Sequence, residues 1–333
     1  MNGIPLRTST ALIAVAVMLL VAIGAGAAVG VVARATPTPV PTRPPAPVAT
    51  PSPEPDTGPL VFAQPLAAGC ASDDAVWVVS NGGGIGRFDG EKQKWSLIDS
   101  TLRSLVSAAC DANDVIAVGP AGRVVVIDDR ARTVRVDDVG FLDLFGVSLP
   151  PDGAIAVGSS GNVQRQTSAG WQKYARGIEE DLFSVVGFSG VSAWAVGDSG
   201  ISYRLEEAGW RPFPTGAAGI LRTVAASSPT DAIAAGDGGA LLRFDGRWRP
   251  LESGVQSALR GSVRAGPLTY VVGDRGVALV IEDATVSRID LGTTCTLRSV
   301  FAKGNAVWFV GSDGTHAGVL RRIGDKLDRW GSC

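Results

Sequence analysis

Trp194-Ala195-Val196-Gly197-Asp198-Ser199-Gly200 is the stretch from which the fold can be read, because copies of it recur along the chain. An apolar run ending in a glycine turn returns as Val118-Gly119-Pro120-Ala121-Gly122, and as VGSSG from Val157. It returns again as AGDGG from Ala235, VGDRG from Val272 and VGSDG from Val310, with a weaker VSNGG from Val79. The turn positions Ser80, Gly119, Gly158, Gly197, Gly236, Gly273 and Gly311 step by 39, 39, 39, 39, 37 and 38 residues. Seven units with a period in this range predict a propeller or a solenoid.

Each unit carries four short segments. The first is apolar, as in Leu221-Arg-Thr-Val-Ala-Ala, and a polar turn such as Thr230-Asp231 follows it. The second is AVWVV, VIAV, AIAV, AWAV, AIAA, TYVV or AVWFV, closed by the glycine turn. The third alternates, as in Gly239-Ala-Leu-Leu-Arg-Phe-Asp, and the fourth often opens with tryptophan (Trp95, Trp171, Trp210, Trp248). Segments of this length, rich in Val, Ile and Trp between Gly, Asp and Pro turns, read as strands. No unit holds an apolar stripe at helical spacing. The second segment is apolar on both faces, so it must be covered on both, as in a blade between two blades. Trp77, Trp194 and Trp308 sit three residues before the turn position and are expected to pack between sheets. The expected fold is all-β: a seven-bladed β-propeller of four-stranded antiparallel blades. A right-handed β-solenoid is the competing repeat fold.

The repeats fill residues 66–333 of 333, and the propeller domain is assigned to residues 60–333. Residues 11–33 hold no charge and are long enough to cross a bilayer. They read as an uncleaved transmembrane anchor behind a cytoplasmic leader, residues 1–10. The alternative is a signal peptide cut after Ala25-Gly26-Ala27, leaving a secreted protein. Residues 34–59 are a proline-rich linker without a core of its own. The propeller is then expected on the extracytoplasmic side of the cell membrane. Net charge is −2, which gives no basis for nucleic-acid binding.

Four cysteines remain. Cys70 and Cys110 occupy equivalent positions in adjacent units, and Cys295 and Cys333 are also one period apart. Beyond an export signal an even count points to disulfides, with Cys70–Cys110 and Cys295–Cys333 favoured among three pairings. There is no Cys-x-x-Cys and one histidine, His316, so no metal or other cofactor is expected.

Candidate chemistry lies where the first strands reach one mouth of the channel. Arg103, Arg222, Arg260 and Arg298 each follow a leucine near the start of that strand. The third and fourth units carry Asp143 and Asp181 in the corresponding region. Two roles compete for the arginines. They can grip carboxylates of a partner through paired N–H donors. They can instead pair with the turn aspartates Asp198, Asp237, Asp274 and Asp313 and pin blade to blade. Tyr174, Tyr203 and Tyr270, the only tyrosines, all fall away from the mouth, which argues against sialidase chemistry. No phosphate-binding loop or Gly-x-Ser-x-Gly is present.

Trp194-Ala-Val-Gly-Asp-Ser-Gly, an alternating strand, then Ala208-Gly-Trp210 resembles the repeat of the photosystem II assembly-factor-like propellers, within the BNR (Asp-box) group. Phe88-Asp89-Gly90 to Trp95 and Phe244-Asp245-Gly246-Arg247-Trp248 are the nearest matches to its second half. The resemblance covers all seven repeats. It departs from the pattern in lacking the second glycine of Asp-Gly-Gly and any intact Asp box. It implies a non-enzymatic extracytoplasmic scaffold that binds other proteins, with an arginine patch on one face. The expected function is therefore a membrane-tethered scaffold, an assembly factor in kind, holding a protein or peptide at the channel mouth. The alternatives are a glycan-binding, lectin-like propeller and a degenerate sialidase-like hydrolase.

Overall fold

Each of the seven repeat units forms its own four-stranded antiparallel sheet, its strands in sequence order. The computed structural model describes residues 64–333, apart from residues 93, 100, 101, 131, 132 and 315. Blade 1 is β1 (Leu66–Ala71), β2 (Ala75–Ser80), β3 (Ile85–Asp89) and β4 (Lys94–Asp99). Blade 2 is β5 (Ser107–Cys110), β6 (Asp114–Gly119), β7 (Arg123–Asp128) and β8 (Thr133–Asp138). Blade 3 is β9 (Leu144–Ser148), β10 (Ile155–Gly158), β11 (Val163–Thr167) and β12 (Gly170–Lys173). Blade 4 is β13 (Leu182–Ser189), β14 (Ser192–Gly197), β15 (Ser202–Glu206) and β16 (Gly209–Pro212). Blade 5 is β17 (Leu221–Ser228), β18 (Asp231–Gly236), β19 (Leu241–Phe244) and β20 (Trp248–Pro250). Blade 6 is β21 (Leu259–Ala265), β22 (Leu268–Gly273), β23 (Ala278–Glu282) and β24 (Thr285–Arg288). Blade 7 is β25 (Thr296–Lys303), β26 (Ala306–Ser312), β27 (Ala317–Ile323) and β28 (Lys326–Gly331).

The first strands touch in a ring, β1 to β5 and onward through β25, and β25 touches β1 again. The object is a closed seven-bladed β-propeller. A solenoid would pair strands of successive units, whereas every ladder here lies within one unit. The second strands are apolar on both faces because neighbouring blades cover both. All six residues of β2 and all seven of β26 are buried.

Space, not backbone angle, explains the recurring glycine. Gly236 ends β18 with φ −168°, a conformation open to any residue. A Cβ there would lie 1.9 Å from the carbonyl oxygen of Ile220, just before β17. That oxygen accepts the Asp237 N–H at 2.9 Å, which holds the two strands together at this point. Gly158, Gly197 and Gly273 repeat the approach, at 1.8, 2.0 and 2.2 Å from Asp143, Asp181 and Ala258 oxygens. The second glycine of the turn has a further reason: Gly200 takes φ +67°. Gly236→Ala should destabilise the protein by about 1–3 kcal/mol through overpacking. Gly219→Ala, in open space in the preceding connection, should move stability by no more than about 1 kcal/mol either way. Urea unfolding of the two variants checks this, and equal midpoints would refute the steric account.

The repeat tryptophans pack between blades as expected. Trp77, Trp194 and Trp308 are 1%, 0% and 3% exposed. Trp194 of blade 4 meets Phe244 and Trp248 of blade 5 at ring-centroid distances of 4.7 and 5.4 Å. Its indole N–H donates to the Pro229 carbonyl at 3.1 Å. An arginine of the third strand covers the ring: Arg204 over Trp194 and Arg321 over Trp308, at 5.6 and 5.3 Å. Each of these arginines pairs with a carboxylate, Glu206 and Asp328 respectively.

Blades 7 and 1 meet without exchanging a strand. Phe88 and Trp95 of blade 1 cluster with Trp308 and Trp330 of blade 7. The Gly69 N–H donates to Ser299 Oγ at 3.3 Å, and Lys303 Nζ donates to the Ala75 carbonyl at 3.3 Å.

Both favoured disulfides form. Cys70–Cys110 joins the first strands of blades 1 and 2. Cys295–Cys333 ties the residue just before β25 to the end of the chain. Beside this second bond the Cys295 carbonyl accepts the Gly276 N–H of blade 6 at 2.9 Å.

The leader, the apolar run 11–33 and the linker lie outside the described residues, as do residues 60–63 of the assigned propeller domain. Among the described residues no helix is long and apolar enough to cross a membrane.

Candidate functional site: the channel mouth

A second leucine pattern sets the mouth. Leu66, Leu105, Leu144, Leu182, Leu221, Leu259 and Leu297 step by 39, 39, 38, 39, 38 and 38 residues, and each is 0% exposed. Side chains alternate across a strand, so the residue after each buried leucine faces the other way. Those residues are Ala67, Val106, Phe145, Phe183, Arg222, Arg260 and Arg298, and all seven line the central cavity of about 400 Å³.

The ring is therefore two-sided. Blades 3 and 4 present Phe145 and Phe183, stacked at 5.4 Å with planes 20° apart. Blades 5, 6 and 7 present arginines. Blades 1 and 2 present only the small Ala67 and Val106, which leaves room between the two arcs.

The arginines are not alike. Leu221 pairs with Gly236 across the ladder, which sets Arg222 beside Asp237. Arg222 donates from Nε and Nη2 to the two Asp237 oxygens at 2.5 and 2.8 Å. Arg260 does the same with Asp274, at 2.5 and 2.9 Å. The hydrogen bond from Arg260 holds the Asp274 carboxyl below the usual carboxylate range, and the bond to Asp274 raises the pKa of Arg260 in turn. In blade 7 the same position is Ser312, and Arg298 reaches it through Nε at 3.4 Å. Asp313, one place further on, accepts from His316 instead. Burial and then the nearby Arg260 lower the pKa of Arg298. The expected pairing with turn aspartates thus holds for two of the arginines. It runs within a blade and does not pin blade to blade.

Two sequence expectations shift by a few residues. Arg103 follows Leu102, but the buried leucine of blade 2 is Leu105. Arg103 is exposed in the connection between β4 and β5 and does not line the channel. Asp143 and Asp181 precede the buried leucine, so the mouth positions of blades 3 and 4 are phenylalanines. The two carboxylates accept backbone N–H groups from the preceding glycine turns, Ala121 and Ser160, each at 2.8 Å. Both turn residues have positive φ, 55° and 51°, and the carboxylates hold them there. Asp198 sits beside Asp181, and burial followed by that neighbour raises its pKa, with Arg222 opposing. The 38–39 residue step from leucine to leucine was the signal for Phe145 and Phe183. Beyond the mouth, Phe141 stands 97% exposed in the connection to blade 3.

The tyrosines lie elsewhere. Tyr203 is 6% exposed within a hydrophobic cluster between blades 3 and 4 and does not line the channel. Its hydroxyl donates to Glu180 at 2.8 Å. Burial, then this bond, push the phenol up to about 12, away from the ionisation a tyrosine nucleophile requires.

Solved structures show where this architecture recurs. It is a β-propeller fold seen in proteins of unrelated sequence. The RRP9 WD40 repeats superpose with a TM-score of 0.66 at 10% identity, over 77% of this chain and 90% of that one. The WD40 propeller domain of Doa1 gives 0.62 at 15% identity, over 82% and 95%. YCF48 bound to D1 peptide gives 0.63 at 16% identity, over 84% and 97%. No protein-family model and no curated protein matches the chain. At these identities the likeness carries the fold and nothing finer.

Proposed function

We propose that this chain is a non-enzymatic, membrane-tethered scaffold on the extracytoplasmic side, which holds a protein or peptide at one mouth of its channel. The observation that carries the reading is the mouth itself: a stacked phenylalanine pair facing an arginine arc across a cavity of about 400 Å³. That volume is in the range of ligand pockets and admits a chain segment or a few side chains. Propeller neighbours include one with a bound peptide, YCF48 with D1 peptide, which supports this use of the fold. The repeat resemblance to photosystem II assembly-factor-like propellers supports an assembly role. The two disulfides support an oxidising compartment, and the uncharged run 11–33 supports a tether.

The test uses the purified full-length chain against an array of synthetic peptides, read beside its Phe183→Asp variant. Peptides that bind the parent should lose it in the variant, because the aspartate breaks the apolar arc. Peptide binding that survives Phe183→Asp unchanged would place the partner elsewhere on the propeller and end this reading. Far-ultraviolet and near-ultraviolet circular dichroism confirm that the variant is folded.

A further inference from the structure

The arginine arc is largely neutralised from within, and this narrows what the mouth can hold. Arg222 and Arg260 each give two donors to a carboxylate of their own blade. The rim near them carries Asp181 and Asp198 as well. Blade 7 breaks the pattern, because Ser312 stands where blades 5 and 6 have Asp237 and Asp274. Arg298 therefore has no carboxylate of its own blade among the described residues; a long bond from Nε to Ser312 and the attraction of Asp274, already held by Arg260, are what engage it. It is half-buried and lines the cavity together with the Phe145–Phe183 pair.

We infer that the mouth selects a peptide segment with a single carboxylate next to an aromatic or branched aliphatic side chain. The inference rests on the reading above that this mouth holds peptide. Arg298 takes the carboxylate through its free guanidinium edge, and Phe145 and Phe183 take the apolar side chain. Arg222 and Arg260 hold the wall in shape. A run of acidic residues is a poor match, since Asp237 and Asp274 already occupy Arg222 and Arg260, and Asp181 and Asp198 would repel charges beyond the first. The carboxylate can be a Glu or Asp side chain or a chain end; the recognising chemistry is the same.

Four peptide types separate these cases on the full-length protein. One places Glu beside Phe with an amidated end, and the second replaces that Glu by Gln. The third keeps Gln but leaves the end a free acid next to Phe. The fourth carries three successive Glu residues. Fluorescence anisotropy should show the first or third binding at least tenfold tighter than the second, with the fourth no better than the first. The winner of first and third identifies the carboxylate source. On the protein side, Arg298→Gln should weaken that peptide by about 10- to 100-fold, the range for a hydrogen bond to a charged group. Ser312→Asp should do likewise, because it gives Arg298 the internal partner its neighbours have. Arg103→Gln, at an exposed position outside the channel, should leave the binding of that peptide unchanged. Thermal unfolding of each variant shows that it is folded, and Arg298→Gln decides alone if Ser312→Asp is not.

If Arg298→Gln and Ser312→Asp bind as the parent while Phe183→Asp does not, the mouth holds peptide but the single-arginine inference is wrong. Tightest binding by the three-Glu peptide also overturns it. If no array peptide responds to any mouth variant, the peptide-binding reading falls and takes this inference with it.

Discussion

Replacing Trp194 by alanine should lower the unfolding free energy by about 3–5 kcal/mol, the usual cost of emptying a buried aromatic site. The ring is fully buried and touches Phe213, Phe244 and Trp248 within 5.4 Å. Two of these belong to the next blade, so the cavity would open between blades, where neither sheet can collapse alone. The substitution also removes the donor to the Pro229 carbonyl and one of the two rings beneath Arg204. A fall in Tm of roughly 10 °C is expected for a domain of this size. Trp210→Ala offers the contrast, because Trp210 is half-buried in the outer strand of the same blade. Calorimetry of both variants checks the claim. Equal losses would show that the complete burial of Trp194 carries no special weight.

The Cys295–Cys333 bond should contribute about 2–4 kcal/mol, as expected for a crosslink closing a loop of 38 residues. Without it β28 is an outermost strand held by its ladder to β27, by Arg329 bonds to the Leu291 and Cys333 carbonyls, and by Trp330. Cys295→Ser with Cys333→Ser should therefore unfold at lower denaturant than the parent. Trp330 belongs to the seam cluster with Phe88 and Trp95, so blade 1 should lose protection from hydrogen exchange together with β28. If exchange increases only within β28, the tail does not support the seam.

Much of the architecture was legible because a repeat states its own register seven times. The turn position located the end of every second strand to within one residue, and the equivalent positions of Cys70 and Cys110 anticipated their bond. The mouth was harder to read for a physical reason. A Leu-Arg pair looks alike whether it opens a strand or lies in the loop before it, and Leu102-Arg103 is the second kind. Burial separates them: Leu105 is fully buried, and Leu102 only partly. The same burial rule would have replaced Asp143 and Asp181 by Phe145 and Phe183. The difference between Arg298 and its neighbours needed the cross-strand pairing of leucine with glycine, because only that juxtaposition sets Ser312 beside Arg298. The turn VGSDG shows the aspartate of blade 7 one place further along than in VGDRG, but not which side chain that leaves beside Arg298.

The joint between blades 7 and 1 bears on how the chain reaches its final shape. Nearly every other packing event brings together residues within about one repeat of each other, such as the 39 positions separating Ser148 from Gly187. Contacts of this kind form early at little entropic expense. The Gly69–Ser299 hydrogen bond spans 230 positions, and the Ser312–Leu66 bond spans 246. With no shared strand to draw the ends together, a nearly finished arc must find its own beginning through the fit of Phe88, Trp95, Trp308 and Trp330. Shutting the circle is then a late, long-distance event, guided by that aromatic cluster and the hydrogen bonds beside it.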